Sequence, residues 1–170
     1  MQVPADAVRF FGSDVTLVDA AKLGRLRSVC GVREWIDQAG VLSAVAQHIF
    51  EPNGRPAPVT SCATLLRLPS QRLYVLTEGR EGGGAREGGA RAGGAREGAA
   101  RELVGLLKVG PKRLFHWHAD GRVDELPDQL CVLDFLIVDA HRRRGRGLAL
   151  FTHMLEAEGV GGPNSTFELV

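Results

Sequence analysis

Leu130-Cys-Val-Leu-Asp-Phe-Leu-Ile-Val138 runs directly into Asp139-Ala-His-Arg-Arg-Arg-Gly-Arg-Gly147, and Leu148, Leu150, Phe151, Met154 and Leu155 then recur at helical spacing. The first stretch is almost continuously apolar, the pattern of a central strand covered on both faces. The last is one face of an amphipathic helix, ended by Gly159, Gly161, Gly162 and Pro163. Between them lies Arg142-x-x-Gly145-x-Gly147. A helix start carries unpaired N–H donors and the positive end of the dipole. Glycines there let a phosphate approach the backbone, and arginines add forked donors. Strand, loop and helix together read as a pyrophosphate cradle in an α/β fold. No Gly-Lys-Ser/Thr follows, so it is not a nucleotide P-loop. Two glycines late in the chain do not make a dinucleotide fingerprint. The plainer alternative is a basic turn that caps a helix.

Upstream, Val15-Thr-Leu-Val18 reads as a strand, Ala20 to Val29 as a short helix, and Val32 to Ile49 as a longer one. In the longer helix Trp35, Ile36, Ala39, Leu42, Val45 and Ala46 follow a 3.6-residue period. Three prolines and a glycine make Glu51 to Pro58 a loop. Arg72 to Thr77, Leu103 to Val109 and Arg113 to His118 read as strands, with turns at Gly110-Pro111 and Asp120-Gly121. Residues 78–102 are near-repeats of Ala-Arg-Glu-Gly-Gly with no aromatic, expected to form a flexible insertion without a core to join. Its glutamates cancel most of its arginines, which argues against RNA binding.

At 170 residues and 44% hydrophobic content the chain suits one domain. A net charge of +1 supplies no general field for nucleic acid. The apolar runs are far short of the roughly 20 residues of a membrane helix, so no transmembrane segment is expected. The N-terminus lacks the basic and apolar regions of a signal peptide. Cys30, Cys62 and Cys131 are three widely spaced thiols, which fits a reducing cytoplasm. His116 and His118 share a strand face, but a metal would need further ligands, so no metal is expected. Asp134 is an acidic residue in an apolar strand, where an unpaired carboxylate is costly. A bond to arginine or backbone near the loop is the expected remedy, with a position facing the substrate groove as the alternative.

Several segments carry a more specific likeness: Gly105-Leu-Leu-Lys-Val-Gly110, Lys112-Arg-Leu-Phe115, Leu130-Cys-Val-Leu-Asp-Phe135 and Leu150-Phe-Thr-His-Met-Leu-Glu156. With Arg-x-x-Gly-x-Gly they resemble the alpha-tubulin N-acetyltransferase family within the GNAT acetyltransferases. Weaker similarity reaches the N-terminus through Val15 to Asp19, Ile36-Asp37, Ala46-Gln47 and Ala57 to Ser61. It covers residues 1–160 apart from the insertion and leaves 161–170 as a non-family tail.

The resemblance implies a mixed, mostly antiparallel sheet flanked by helices. It implies acetyl transfer from acetyl-CoA to a lysine of alpha-tubulin on the luminal face of microtubules, hence a cytoplasmic, cytoskeletal protein. The cofactor would lie along Phe135, Leu136, Ile137, Val138, Asp139, Ala140, His141, Arg142, Arg143, Arg144, Gly145, Arg146, Gly147 and Leu148. A glutamine matching Gln47 is critical in the family, and a cysteine matching Cys131 lies in its active-site region. Without the resemblance, Gln47 is a polar residue on an apolar helix and Cys131 a strand-core thiol. The implied mechanism is direct attack of the lysine amine on the thioester, with strand N–H groups polarising its carbonyl and a base taking the proton. Departures are Leu148, where the family favours arginine, and the lack of a later Asp-Arg-Pro-Ser strand. The sheet is therefore expected to be incomplete at its C-terminal end. That leaves, as alternatives, a weak or inactive truncated form that only binds microtubules or CoA, and a GNAT enzyme with another amine substrate.

Overall fold

The computed structural model describes residues 1–26, 30–79 and 100–160. Elements follow the order β1 (Val15–Val18), α1 (Ala20–Arg25), α2 (Cys30–Ala46), α3 (Cys62–Arg67), β2 (Arg72–Gly79), β3 (Arg101–Trp117), β4 (Val123–Ile137) and α4 (Arg146–Ala157). The strands form one sheet in the order β1-β2-β3-β4, every pairing antiparallel. One face buries Leu73, Val75, Leu103, Leu106 and Leu136 with Trp35, Ile36 and Ala39 of α2 and Leu65 of α3. The other buries Tyr74, Leu76, Leu107 and Val109 with Leu150 and Met154 of α4. The α/β expectation of a sheet between helices holds.

Four details depart from the sequence reading. First, β4 is the outermost strand among the described residues, not a doubly covered central one. Leu130, Val132 and Phe135 are exposed. Second, Gly110-Pro111 makes no turn. β3 continues straight through it, pairing Pro111 with Leu130. The ladder to β2 ends at Val109, so Pro111 stands where β3 has a neighbour on one side only and a missing N–H is tolerated. The hairpin reverses instead at Asp120-Gly121, as expected, with Gly121 at φ +84. Third, α2 stops at Ala46 rather than Ile49. His48 is left-handed (φ 56), and the His48 and Ile49 N–H groups donate to the Val45 and Ala44 carbonyls. That is a Schellman ending, with Gln47 at the C-cap. Fourth, the strands reach further into the insertion than residues 78–102 allow, since Glu78 pairs with Glu102 and Gly79 with Arg101. The interior of the insertion, 80–99, and the tail, 161–170, lie outside the described residues.

α3 has no counterpart in the sequence reading. Its only local signal is Ser61, whose hydroxyl accepts from the Thr64 N–H at 3.1 Å. The Cys62 N–H donates to Asp37 of α2 at 2.7 Å. Burial and the neighbouring Asp37 push the Cys62 thiol up to about 12, which makes it an inert core group.

The far end of α4 is pinned to β2. Arg72 Nε and Tyr74 Oη donate to Glu158 Oε1 at 2.5 and 2.6 Å, and the Glu158 side chain is only 8% exposed. Burial raises the Glu158 carboxyl, but the Arg72 and Tyr74 bonds and the Arg72 charge outweigh it and hold the group below its usual range. Its stabilisation is therefore complete above the unfolded value of about 4.3 and is lost as pH falls through the lower folded value. Glu158→Gln is expected to cost about 1.5–3 kcal/mol at neutral pH, the scale of charge-assisted bonds. In urea melts at pH 7 and below 4, the gap between wild type and variant should shrink as pH falls. A gap that grows with acid would contradict this.

Candidate active site

Extra residues on one strand decide what faces what. Lys108 pairs with Asp134, but Val109 pairs with Val132, so Leu133 is a one-residue bulge in β4. Paired residues share a sheet face. Lys108 and Gly110 alternate onto the α2 face, so their partners Asp134 and Cys131 lie there together. Without the bulge an odd spacing would have put them on opposite faces. Cys131 is half-buried rather than a strand-core thiol.

Asp134 is 4% exposed and is the centre of a polar cluster. Its Oδ1 accepts from Ser43 Oγ at 2.6 Å and from Gln47 Nε2 at 2.8 Å. Its Oδ2 accepts from Thr60 Oγ1 at 2.5 Å. Gln47 Nε2 also donates to Ser43 Oγ at 2.7 Å. Asp134 thus bonds hydroxyls and an amide rather than the expected arginine or backbone. Lys108 lies opposite it, 1% exposed, with its ammonium donating to the Val59 carbonyl. Burial pushes Lys108 below the usual lysine range; the Asp134 charge opposes this and the Lys112 charge adds to it. The buried cation and anion limit each other's desolvation cost.

Beside this cluster a cleft of about 240 Å³ opens between Leu42, Val45 and Ala46 of α2 and Leu136, Val138 and Asp139 at the end of β4. It is mostly apolar and ends at Asp139, where the glycine-arginine loop begins.

The loop itself starts with one 3-10 turn, Asp139–His141. Arg143 and Gly145 are left-handed at φ 61 and 73. Gly145 is the N-cap of α4, and no side chain among the described residues caps the helix. The first helical bond runs from the Ala149 N–H to the Gly145 carbonyl, so the N–H groups of Arg146, Gly147 and Leu148 precede it unpaired within the helix. Not every arginine is free to meet a ligand. Arg142 donates from Nε to the Ile137 carbonyl at 2.9 Å and pairs with Asp139. Arg146 pairs with Glu78. Arg143 and Arg144 have no side-chain partner among the described residues. His141 lies 3.3 Å from Glu102 and 3.9 Å from Glu78, which places the turn against the ends of β2 and β3. Leu136 is largely buried at the wall of the cleft, whereas Phe135 and Leu148 are exposed. Ile137 packs toward α4, Val138 toward α2, and Ala140 lies exposed on the turn.

Gln47 meets β4 through Asp134, Cys131 shares the face of Asp134, and the loop follows the end of the same strand, an arrangement that motif spacing did not reveal. Sequence reasoning missed Ser43, Thr60 and Lys108 outright. The Lys108 position alone carried a signal: a lysine in an otherwise apolar strand.

A sequence profile described as "GNAT acetyltransferase, Mec-17" matches residues 4–166. The chain belongs to this family of GNAT acetyltransferases. Its relatives include the "Alpha-tubulin N-acetyltransferase" of Leishmania major, 35% identical over 95% of this chain and 57% of that protein. The "Alpha-tubulin N-acetyltransferase 1" of Danio rerio is 32% identical over 94% of this chain and 48% of its own length. The "Alpha-tubulin N-acetyltransferase" of Schistosoma japonicum is 46% identical over 74% of the chain and 40% of its own length. The chain thus spans about half the length of the curated relatives it matches. For a GNAT family member the antiparallel sheet, the glycine loop at a helix start and the cleft beside it form a consistent whole.

Proposed function

We propose that the chain transfers acetyl from acetyl-CoA to a lysine side chain of alpha-tubulin, as the names of its relatives describe for them. The observation that carries this reading is the order of the features along β4 and the loop that follows it: Cys131, then Asp134 with Gln47, then the cleft at Leu136 to Asp139, then the helix start. The unpaired N–H groups at Arg146, Gly147 and Leu148 suit a pyrophosphate, the apolar cleft suits a slender pantetheine arm, and Gln47 and Cys131 flank the end where a thioester would lie. The outer edge of β4 offers backbone donors of the kind that polarise a carbonyl. The lysine nitrogen would form its bond to the acetyl carbon as the carbon–sulfur bond breaks. The sulfur would leave with the electron pair, the nitrogen would give up its proton to solvent, and the departing thiolate would take one up from solvent to become CoA thiol. The chain's part is to align these groups and exclude water. A protein substrate on microtubules, in the cytoplasm, also suits the exposed apolar side chains Leu114, Phe115, Trp117 and Leu126 on the far half of the β3–β4 hairpin.

The test is binding followed by turnover. Gly145→Asp places a carboxylate at the helix start and should weaken CoA binding about tenfold, on the scale of one added charge at a helix terminus. Gly145→Ala, strained at φ +73 but uncharged, separates strain from charge. Calorimetric titration giving equal CoA affinity in wild type and Gly145→Asp would remove the loop from the site. Incubation of the chain with acetyl-CoA and assembled microtubules then reads acetyl transfer directly. CoA binding without transfer would favour the reading of a CoA-binding form that is not an enzyme.

A further inference from the structure

We propose that Asp134 is a positioning residue that fixes the orientation of the Gln47 amide, so that Oε1 and not the NH2 group is offered to the incoming lysine. This rests on the reading of Gln47 as a substrate contact. A glutamine amide has two ends of opposite polarity, a carbonyl that only accepts and an NH2 that only donates. Gln47 stands at the C-cap of α2, exposed beside the cleft, where nothing in its own helix chooses between the two ends. The choice is made from β4. The Asp134 carboxylate only accepts, so it must face the NH2 end. The Ser43 hydroxyl spends its proton on Asp134 and can then only accept from Gln47. Thr60 holds the other carboxylate oxygen, so Asp134 cannot rotate away. Both inward contacts of Gln47 thus select the same end, and Oε1 makes no hydrogen bond to any described residue.

The chemistry makes that selection matter. A lysine amine ready to attack must aim its lone pair at the acetyl carbon, so its N–H groups need acceptors. Oε1 is one. A flipped Gln47 would present donors, which compete for the lone pair itself. Asp134 acts on the reaction only through Gln47.

The experiment is a double-variant comparison on the full chain, with acetyl transfer to microtubules as readout. Asp134→Ala should lower kcat about tenfold while KM for tubulin stays within about twofold, the coupling expected between residues in direct contact. Asp134→Asn should restore most of the rate, because its Oδ1 can still accept from Gln47 while its NH2 turns to the Thr60 hydroxyl. In a Gln47→Ala background, Asp134→Ala should have no further effect on kcat. Additive losses would overturn the proposal while leaving Gln47 in the site. Full kcat in Gln47→Ala would instead overturn the reading of Gln47, and the proposal with it. A second arm needs no turnover. The Gln47 side-chain NH2 resonances, identified by their disappearance in Gln47→Ala, should move to solvent-like shifts and fast exchange in Asp134→Ala. Unchanged resonances would overturn the proposal. If Asp134→Ala does not fold, Ser43→Ala removes one of the two inward acceptors and is read the same way.

Discussion

Gly40→Ala is expected to unfold the protein or to lower its stability by at least about 3 kcal/mol, the upper range for overpacking a close-packed site. Gly40 lies inside α2, where alanine is ordinarily better than glycine by about 1 kcal/mol. Helix propensity alone therefore predicts stabilisation. Packing reverses the sign. A Cβ at this position would stand 1.9 Å from the Thr60 carbonyl oxygen and 3.0 Å from its carbonyl carbon. Both are backbone atoms, so no side-chain rotation can relieve the overlap. α2 and the segment before α3 would have to separate. The contrast is Gly24→Ala in α1, where no described residue lies within 4 Å of the added carbon and a gain of a few tenths to about 1 kcal/mol is expected. Urea melts of the two variants should move in opposite directions. A neutral Gly40→Ala would mean that the Thr60 segment shifts freely, and then Thr60 could not hold Asp134 as described.

That contact also shows why part of the site was closed to sequence reasoning. Strands, the long helix and the glycine-arginine loop follow from local patterns: apolar runs, a 3.6-residue period, and glycines next to arginines. Each is decided within about a dozen residues. Asp134 is different, because its hydroxyl partners Ser43 and Thr60 are 91 and 74 positions away. Serine and threonine in those surroundings carry no mark that separates a partner from a solvated hydroxyl. The Leu133 bulge is hidden for another reason. Bulges announce themselves when alternation slips, and Leu130 to Val138 is apolar at almost every position, so there is no alternation to slip. Reading Cys131 and Asp134 onto one face requires the pairing with β3. Gly110-Pro111 misleads in the opposite way. The dipeptide is a strong turn signal, and only the length of β2 reveals that β3 has already lost a neighbour there. Gln47 became visible through family resemblance alone. Its position at the end of α2 depends on a left-handed His48, a conformation histidine adopts more readily than most residues but does not advertise.

The second large effect is expected at Gly105, in the part of β3 that lies against the start of the loop. Gly105 pairs with Ile137. A Cβ there would meet the Ile137 Cδ1 at 2.5 Å, the Leu136 carbonyl oxygen at 2.7 Å and Leu150 at 3.5 Å. The isoleucine tip can swing aside, but the Leu136 oxygen belongs to the β4 backbone and cannot. Gly105→Ala should therefore push the end of β4 away from β3 by a fraction of an ångström. Two bonds that launch the loop begin at that point. The Val138 N–H donates to the Val104 carbonyl at 2.9 Å, and Arg142 Nε donates to the Ile137 carbonyl at 2.9 Å. Displacing their strand tilts the turn and the unpaired N–H groups of α4 together. A stability loss of about 2 kcal/mol is expected from overpacking, accompanied by roughly tenfold weaker CoA binding from the misplaced donors. Gly79→Ala, with no described residue within 4 Å, is the matched control at the far end of β2. Urea melts and CoA calorimetry on both variants separate the two consequences. Lower stability with unchanged CoA affinity in Gly105→Ala would show that the loop is held by His141 and its two glutamates rather than by the end of β4.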